Sequence, residues 1–420
     1  MDWLSLSKQK PQSRTHFALG VAALCLAAAA VGCGEQTGDL QETLSVASPP
    51  GLSIPLVRGP FQNDGASPWY AQIGIGTPPQ SLKIAIDTGS NFDWVSSTLC
   101  EDTPAGCDHF GGKEFDHQAS STFQWDGEHP DKTVSFGPWG NMVVQRGRDL
   151  VHFGNGVVSE STLYLSKEYT GQQFTELDWD GGIGIPSGSE TVEEGFPFLF
   201  ETLMEQGAFD REMPFLAFHT EPAIGTGTVA FGKLDEDVID AQAYLFLPWQ
   251  KYGDEGDLWA TSLRSMKVGD EEIASDIFFC LDSGSSRFKG DVSILNEAFA
   301  LTTRTGDTVT IEVGETSSGD VGVLKIPAEI YNVEIEEGPE KGEIISQFAP
   351  LAGLEGMVLV GAVLMDHLYT VFEFEVVQNA DGDSLSPVGM WIFNKKGGYP
   401  IIQTRQDQPA RIFGVRRHGS

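Results

Sequence analysis

From residue 61 onward, apolar residues come in short runs broken by Gly, Pro, Asn and Asp. Examples are Trp69 to Ile75, Leu82 to Ile86, Asn141 to Val144, Val229 to Phe231, Val309 to Val313 and Tyr369 to Val377. Short apolar runs bounded by turn formers are strand signals, so an all-β architecture is expected. Helical periodicity is scarce. Pro197 to Gln206 places Leu199, Phe200, Leu203 and Met204 on one face, with Gly207 as a stop. Val292 to Ala300 is a weaker helical stretch, and no short-period repeat is visible.

The first residues follow a different pattern. Lys8, Lys10, Arg14 and His16 precede an apolar run from Phe17 to Val31. A basic region followed by an apolar run too short for a comfortable membrane span reads as a secretory signal over residues 1–32. The run ends in Ala30-Val31-Gly32-Cys33, which resembles a bacterial lipobox. That resemblance implies lipidation of Cys33 and a cell-envelope lipoprotein facing the periplasm or the outside. An ordinary cleaved signal and a secreted protein are the alternative. Residues 33–60, rich in Gly, Ser, Thr and Pro, are expected to form a flexible tether.

Composition narrows the function classes. The chain has 420 residues, 26 Lys and Arg against 60 Asp and Glu, and a formal net charge of -34. Such a charge repels phosphate backbones, so no nucleic-acid partner is expected. A 40% hydrophobic content supports a packed core and excludes wholesale disorder. Of the five cysteines, Cys25 lies in the signal and Cys33 is the lipidation candidate. Cys100 and Cys107 lie close together in a polar segment, which in an exported protein reads as a small disulfide loop. A metal site is the alternative, with His109 alone in support. Cys280, between Phe279 and Leu281, is expected to be a buried free thiol.

One long-range echo carries chemistry. Ile84-Ala85-Ile86-Asp87-Thr88-Gly89-Ser90 is answered, about one domain length later, by Phe278-Phe279-Cys280-Leu281-Asp282-Ser283-Gly284-Ser285. Each copy places a carboxylate where an apolar strand turns. Gly89 and Gly284 would permit the turn, and the hydroxyls that follow each Asp can orient its carboxylate.

With these residues the chain resembles the pepsin family of aspartic proteases. Further landmarks are Trp69 to Gln80, Trp94, the Cys100–Cys107 spacing, Phe115 to Phe123, Asp180 to Ile185, Trp259 to Gly269, Val358 to Gly361 and Tyr369 to Phe372. The resemblance implies a bilobal all-β fold with an N-terminal lobe over 61–238, a C-terminal lobe over 239–398 and an extension over 399–420. Each β-barrel-like lobe gives one Asp to a central cleft. By the resemblance, Asp87 and Asp282 form a dyad that shares one proton and activates a water. Thr88 and Ser283 interlock the two triplets, and Ser90 and Ser285 bond the outer carboxylate oxygens. No metal or cofactor is needed. The implied substrate is an extended peptide or unfolded protein, cut between hydrophobic residues in acid. Pepstatin-like compounds would inhibit, and a monomer is expected.

Three positions depart from the family pattern. The hairpin over the cleft is expected near Val134 to Gly137, with Phe136 where the family usually has Tyr. Gly182, beside Ile183, stands where an apolar side chain usually lines the pocket, so a roomier pocket is expected. Arg58 is the single basic residue in 34–60, which argues against a basic prosegment. A silent pepsin-fold module that binds peptides is the main alternative function. A carbohydrate-binding surface lipoprotein rests only on the several Trp residues.

Overall fold

Two strands carry the repeated motif, and each sits in the same local arrangement. In the computed structural model, which describes residues 51–403 except 103–106, 108, 110–111, 137–139, 172, 254–255, 315–320 and 380–381, strand Gln80–Asp87 leads to the first Asp. It runs antiparallel to Trp69–Ile75 and parallel to Gly181–Gly184, with Asp87 opposite Gly184. Gly181–Gly184 in turn lies antiparallel to Trp94–Val95. In the second half, Glu271–Leu281 runs antiparallel to Ala260–Val268 and parallel to Met357–Val360. Met357–Val360 lies antiparallel to Phe288–Gly290. A strand hydrogen-bonded on both edges and covered on both faces reads as a nearly continuous apolar run. That accounts for Leu82-Lys83-Ile84-Ala85-Ile86 and Phe278-Phe279-Cys280-Leu281.

Among the described residues the second half builds a seven-stranded sheet, and the first half belongs to a sheet of fourteen strands. The larger sheet also takes in Ile239–Pro248, Leu368–Asn379 and Gly382–Lys395 from the second half. The crossing point is the antiparallel pair in which Phe215 faces Glu373 and Phe218 faces Thr370. A boundary at 238/239 therefore falls inside a shared layer that backs both halves.

The expected tether ends earlier than its composition suggests. Leu52–Arg58 is a strand between Thr226–Phe231 and Trp69–Ile75. Leu52, Ile54 and Leu56 are buried on one face, a period-two pattern that the surrounding Gly, Ser and Pro concealed. The expected extension also begins inside the fold. Ile401 and Ile402 are buried, Lys325 N–H donates to Ile401 O at 2.8 Å, and Leu324 bridges Ile402. The signal segment, Cys33 and residues 404–420 lie outside the described residues.

The helix at Leu199–Glu205 buries the four residues read from the sequence, and Gly207 has φ +73°. The other helix runs further than expected, over Val292–Thr305. Asp291 caps its start by accepting from Ser293 N–H and Ile294 N–H, and left-handed Gly306 ends it. Cys100 and Cys107 form a disulfide, and Cys280 is a buried free thiol.

Ile54 is 2% exposed. Ile54→Ala is expected to lower unfolding free energy by about 2–5 kcal/mol in urea titration. A residue in a flexible tether would change it by no more than about 0.5 kcal/mol.

Candidate active site

Asp87 ends its strand, and its carbonyl accepts from Ile185 N–H at 2.8 Å. Asp282 follows directly after its own strand and donates its N–H to Val360 O at 3.0 Å. The two turns are bolted together by reciprocal bonds. Thr88 N–H donates to Ser283 Oγ, and Ser283 N–H donates to Thr88 Oγ1, both at 3.0 Å. Each hydroxyl then donates across the junction, Ser283 Oγ to Ile86 O at 2.6 Å and Thr88 Oγ1 to Leu281 O at 3.4 Å.

Within each triplet a backbone amide fixes the carboxyl. Gly89 N–H donates to Asp87 Oδ1 at 2.8 Å and Gly284 N–H to Asp282 Oδ1 at 2.9 Å. The reason for glycine at these positions differs from the expected one. Neither has a left-handed φ. A Cβ on Gly89 would lie 2.6 Å from the Asp282 carboxyl, and one on Gly284 would lie 2.3 Å from Asp87 Oδ1. The absent side chains make room for the opposite carboxylate rather than for the turn.

The two carboxyls face each other across these glycines, close enough for the charge of one to act on the other. Burial, then the charge of Asp282, holds Asp87 well above the ordinary carboxylate range. The outer oxygens are treated unequally. Ser285 Oγ donates to Asp282 Oδ2 at 2.6 Å. Ser90 stands near Asp87 and lowers its pKa, but its hydroxyl completes no close bond like that of Ser285.

The dyad floors a cleft of about 460 Å³ walled by Phe92, Trp94, Phe136, Leu258 and the loop 351–354. The hairpin over it is where the sequence placed it. Lys132–Ser135 pairs with Asn141–Gly154, Ser135 facing Asn141, and Phe136 N–H donates to Gly140 O at 2.9 Å. Gly137 lies outside the described residues. The Phe136 ring meets Trp94, Phe92 and Phe174 edge-on, with centroids 5.9, 5.8 and 5.3 Å away. Packing thus replaces any hydrogen bond a phenol would make there.

Gly182 and Ile183 do not line the cleft. Gly182 is buried opposite Trp94, where a Cβ would lie 2.9 Å from Trp94 Nε1. The space left by the missing side chain holds the indole, so no roomier pocket results. Ile183 is a core residue. Arg58 also has a structural role: its guanidinium pairs with Glu336 at 2.7 Å.

Two features were missed from the sequence. His109 Nε2 lies 3.0 Å from Asp180 Oδ1, which also accepts from Lys113 N–H, while Asp180 Oδ2 accepts from Lys83 N–H. This buried pair ties the disulfide loop to the Asp87 strand. Lys289, in the strand after the second triplet, reaches Ser285 from inside the sheet. A lone Lys between Phe288 and Gly290 was the available signal.

A family model described as eukaryotic aspartyl protease matches residues 68–379. The chain belongs to this pepsin-like family. It is 28% identical to embryonic pepsinogen of Gallus gallus over 249 residues, covering 58% of this chain and 60% of the relative. It is 28% identical to pepsin II-1 of Oryctolagus cuniculus over 231 residues, 54% and 56% of the two chains. Chymosin of Ovis aries is 26% identical over 322 residues, 75% and 80% of the two chains. The chain thus spans less than two thirds of the first two relatives.

Ser283→Ala leaves Thr88 N–H without its acceptor. A loss of about 1–3 kcal/mol in urea unfolding is expected, while Ser283→Thr, which keeps the hydroxyl, stays near the parent.

Proposed function

We propose that this protein is an active aspartic endopeptidase that hydrolyses extended peptides or unfolded proteins. The observation that carries the reading is the pair of carboxyls, each lying against the opposite triplet's glycine on the floor of an apolar-walled cleft beneath a hairpin. Two carboxylates this close cannot both ionise cheaply, so the pair holds one proton over a wide pH range. The ionised member draws a proton from a water between them. That water attacks the scissile carbonyl, and the protonated member donates to the carbonyl oxygen. Burial and the neighbouring charge raise Asp87, and the pair titrates as a unit.

The walls support a preference for hydrophobic residues around the cut, because Phe92, Phe136, Leu258 and Leu354 present apolar surface. An extended substrate gains main-chain bonds along the cleft, and a pepstatin-like inhibitor would occupy the same place. The disulfide supports export to an oxidising compartment. Anchoring through a lipid on Cys33 is part of the proposal and falls outside the described residues. Among the described residues, no helix is long and apolar enough to cross a membrane.

The pH sign follows from the one-proton requirement. Activity falls on the alkaline side as Asp87 ionises, and on the acid side as the pair takes a second proton. The raised Asp87 moves the alkaline limb upward relative to an ordinary carboxylate. Cleavage of acid-denatured protein across about pH 2 to 9 should be bell-shaped and blocked by pepstatin, and Asp87→Asn should lower it on the order of 10³-fold or more. A folded protein that cleaves nothing anywhere in that range is instead a peptide-binding module.

A further inference from the structure

The two triplets are close to symmetric, but what stands behind them is not. Seven residues after Asp87 comes Trp94, and seven after Asp282 comes Lys289. The two occupy matching places. Trp94 faces Gly182, two residues before the Gly184 that faces Asp87. Lys289 faces Leu359, one residue before the Val360 that faces Leu281. The matching place is therefore held by an indole in the first half and by an ammonium in the second.

Lys289 is 7% exposed in a strand flanked on both sides by apolar strands. A lysine is rarely tolerated there without an anionic partner. Its Nζ donates to Ser285 Oγ at 3.1 Å, and Ser285 Oγ donates to Asp282 Oδ2 at 2.6 Å. The result is a directed chain of donors from cation to carboxylate.

The charged groups facing Lys289 are Asp282, Asp64, Arg287 and Asp87. Asp64 comes from the segment packed on the second triplet, where Ser67 N–H donates to Gly284 O and Ser286 N–H to Gly65 O. Its Oδ1 accepts from Ala66 N–H at 2.9 Å. Arg287 donates to Asn63 O and also feels Asp64, Glu340 and Glu176. Burial pulls the Lys289 ammonium down to about 8, against the attraction of Asp282 and Asp64. It remains charged throughout the acid range in which the dyad would work.

An ammonium at the head of the chain makes the Ser285 hydroxyl a stronger donor and favours ionised Asp282. We propose that Lys289 is a positioning residue that acts through Ser285 to keep the negative charge of the dyad on Asp282, and so sets the pH range of catalysis. This rests on the endopeptidase reading. The shared proton is biased toward Asp87, and both ionisations of the pair are shifted to lower pH. The half-to-half asymmetry then assigns the roles: Asp282 is the base toward water and Asp87 the acid toward the carbonyl.

The test has two arms on the full chain. In the first, kcat/KM is measured against pH for the parent and Lys289→Met. Both limbs should rise by about one pH unit in the variant. A variant that loses the same factor at every pH, with its limbs unmoved, overturns the proposal. The second arm needs neither activity nor a folded Lys289 variant. The Lys289 Nζ titration is followed by 15N NMR in the parent and in Asp282→Asn. By reciprocal linkage, its midpoint should fall by a similar amount when the Asp282 charge is removed; an unchanged midpoint overturns the proposal. If the parent cleaves nothing at any pH, the endopeptidase reading fails by itself, and the second arm still decides whether Lys289 and Asp282 are coupled.

Discussion

Thr88 and Ser283 exchange hydrogen bonds across the junction of the two halves, and the chemistry of the cleft depends on that exchange. Two carboxyls held against each other in a buried site repel when both are ionised. Left to loose loops they would separate and titrate as ordinary acids. Here each strand end is locked to the other by an amide, a hydroxyl and a carbonyl in turn. The glycines then let each carboxyl lie against the opposite backbone. The shared sheet, with strands drawn from both halves, keeps these strand ends from sliding apart.

The cleft wall shows how packing substitutes for a missing polar group. The Phe136 side chain cannot donate a hydrogen bond, yet its ring is fixed edge-on among Trp94, Phe92 and Phe174. Trp94 is itself fixed because Gly182 leaves room for its indole. The hairpin base is therefore held by an aromatic stack that continues down to the Asp87 strand. In the second half the place of Trp94 is taken by Lys289, at the head of the Lys289–Ser285–Asp282 chain. The halves share a backbone plan and differ in the electrostatics they give their aspartates.

Much of this was legible in the sequence, because the signals were local or repeated. Apolar runs bounded by turn formers located strands such as Trp69–Ile75 and Val309–Val313. The repeated Asp-Thr/Ser-Gly-Ser located both carboxyls. What stayed hidden depends on contacts distant in sequence. Leu52–Arg58 is a strand because Thr226–Phe231 and Trp69–Ile75 flank it, and its Gly- and Pro-rich neighbours masked the alternation. Gly182 looked like space in a pocket, because only the folded register places Trp94 over it. Lys289 takes its meaning only from the sheet that closes around it and from Ser285, to which it donates.

The central claim is that Asp87 and Asp282 hold one proton between them at the pH of catalysis. Neutron diffraction on deuterated crystals grown near about pH 5 reads that proton directly. One deuteron at the pair, on the Asp87 side, with Asp282 accepting from Ser285, is the predicted result. Two bare carboxylates, or a deuteron on each, would contradict the account.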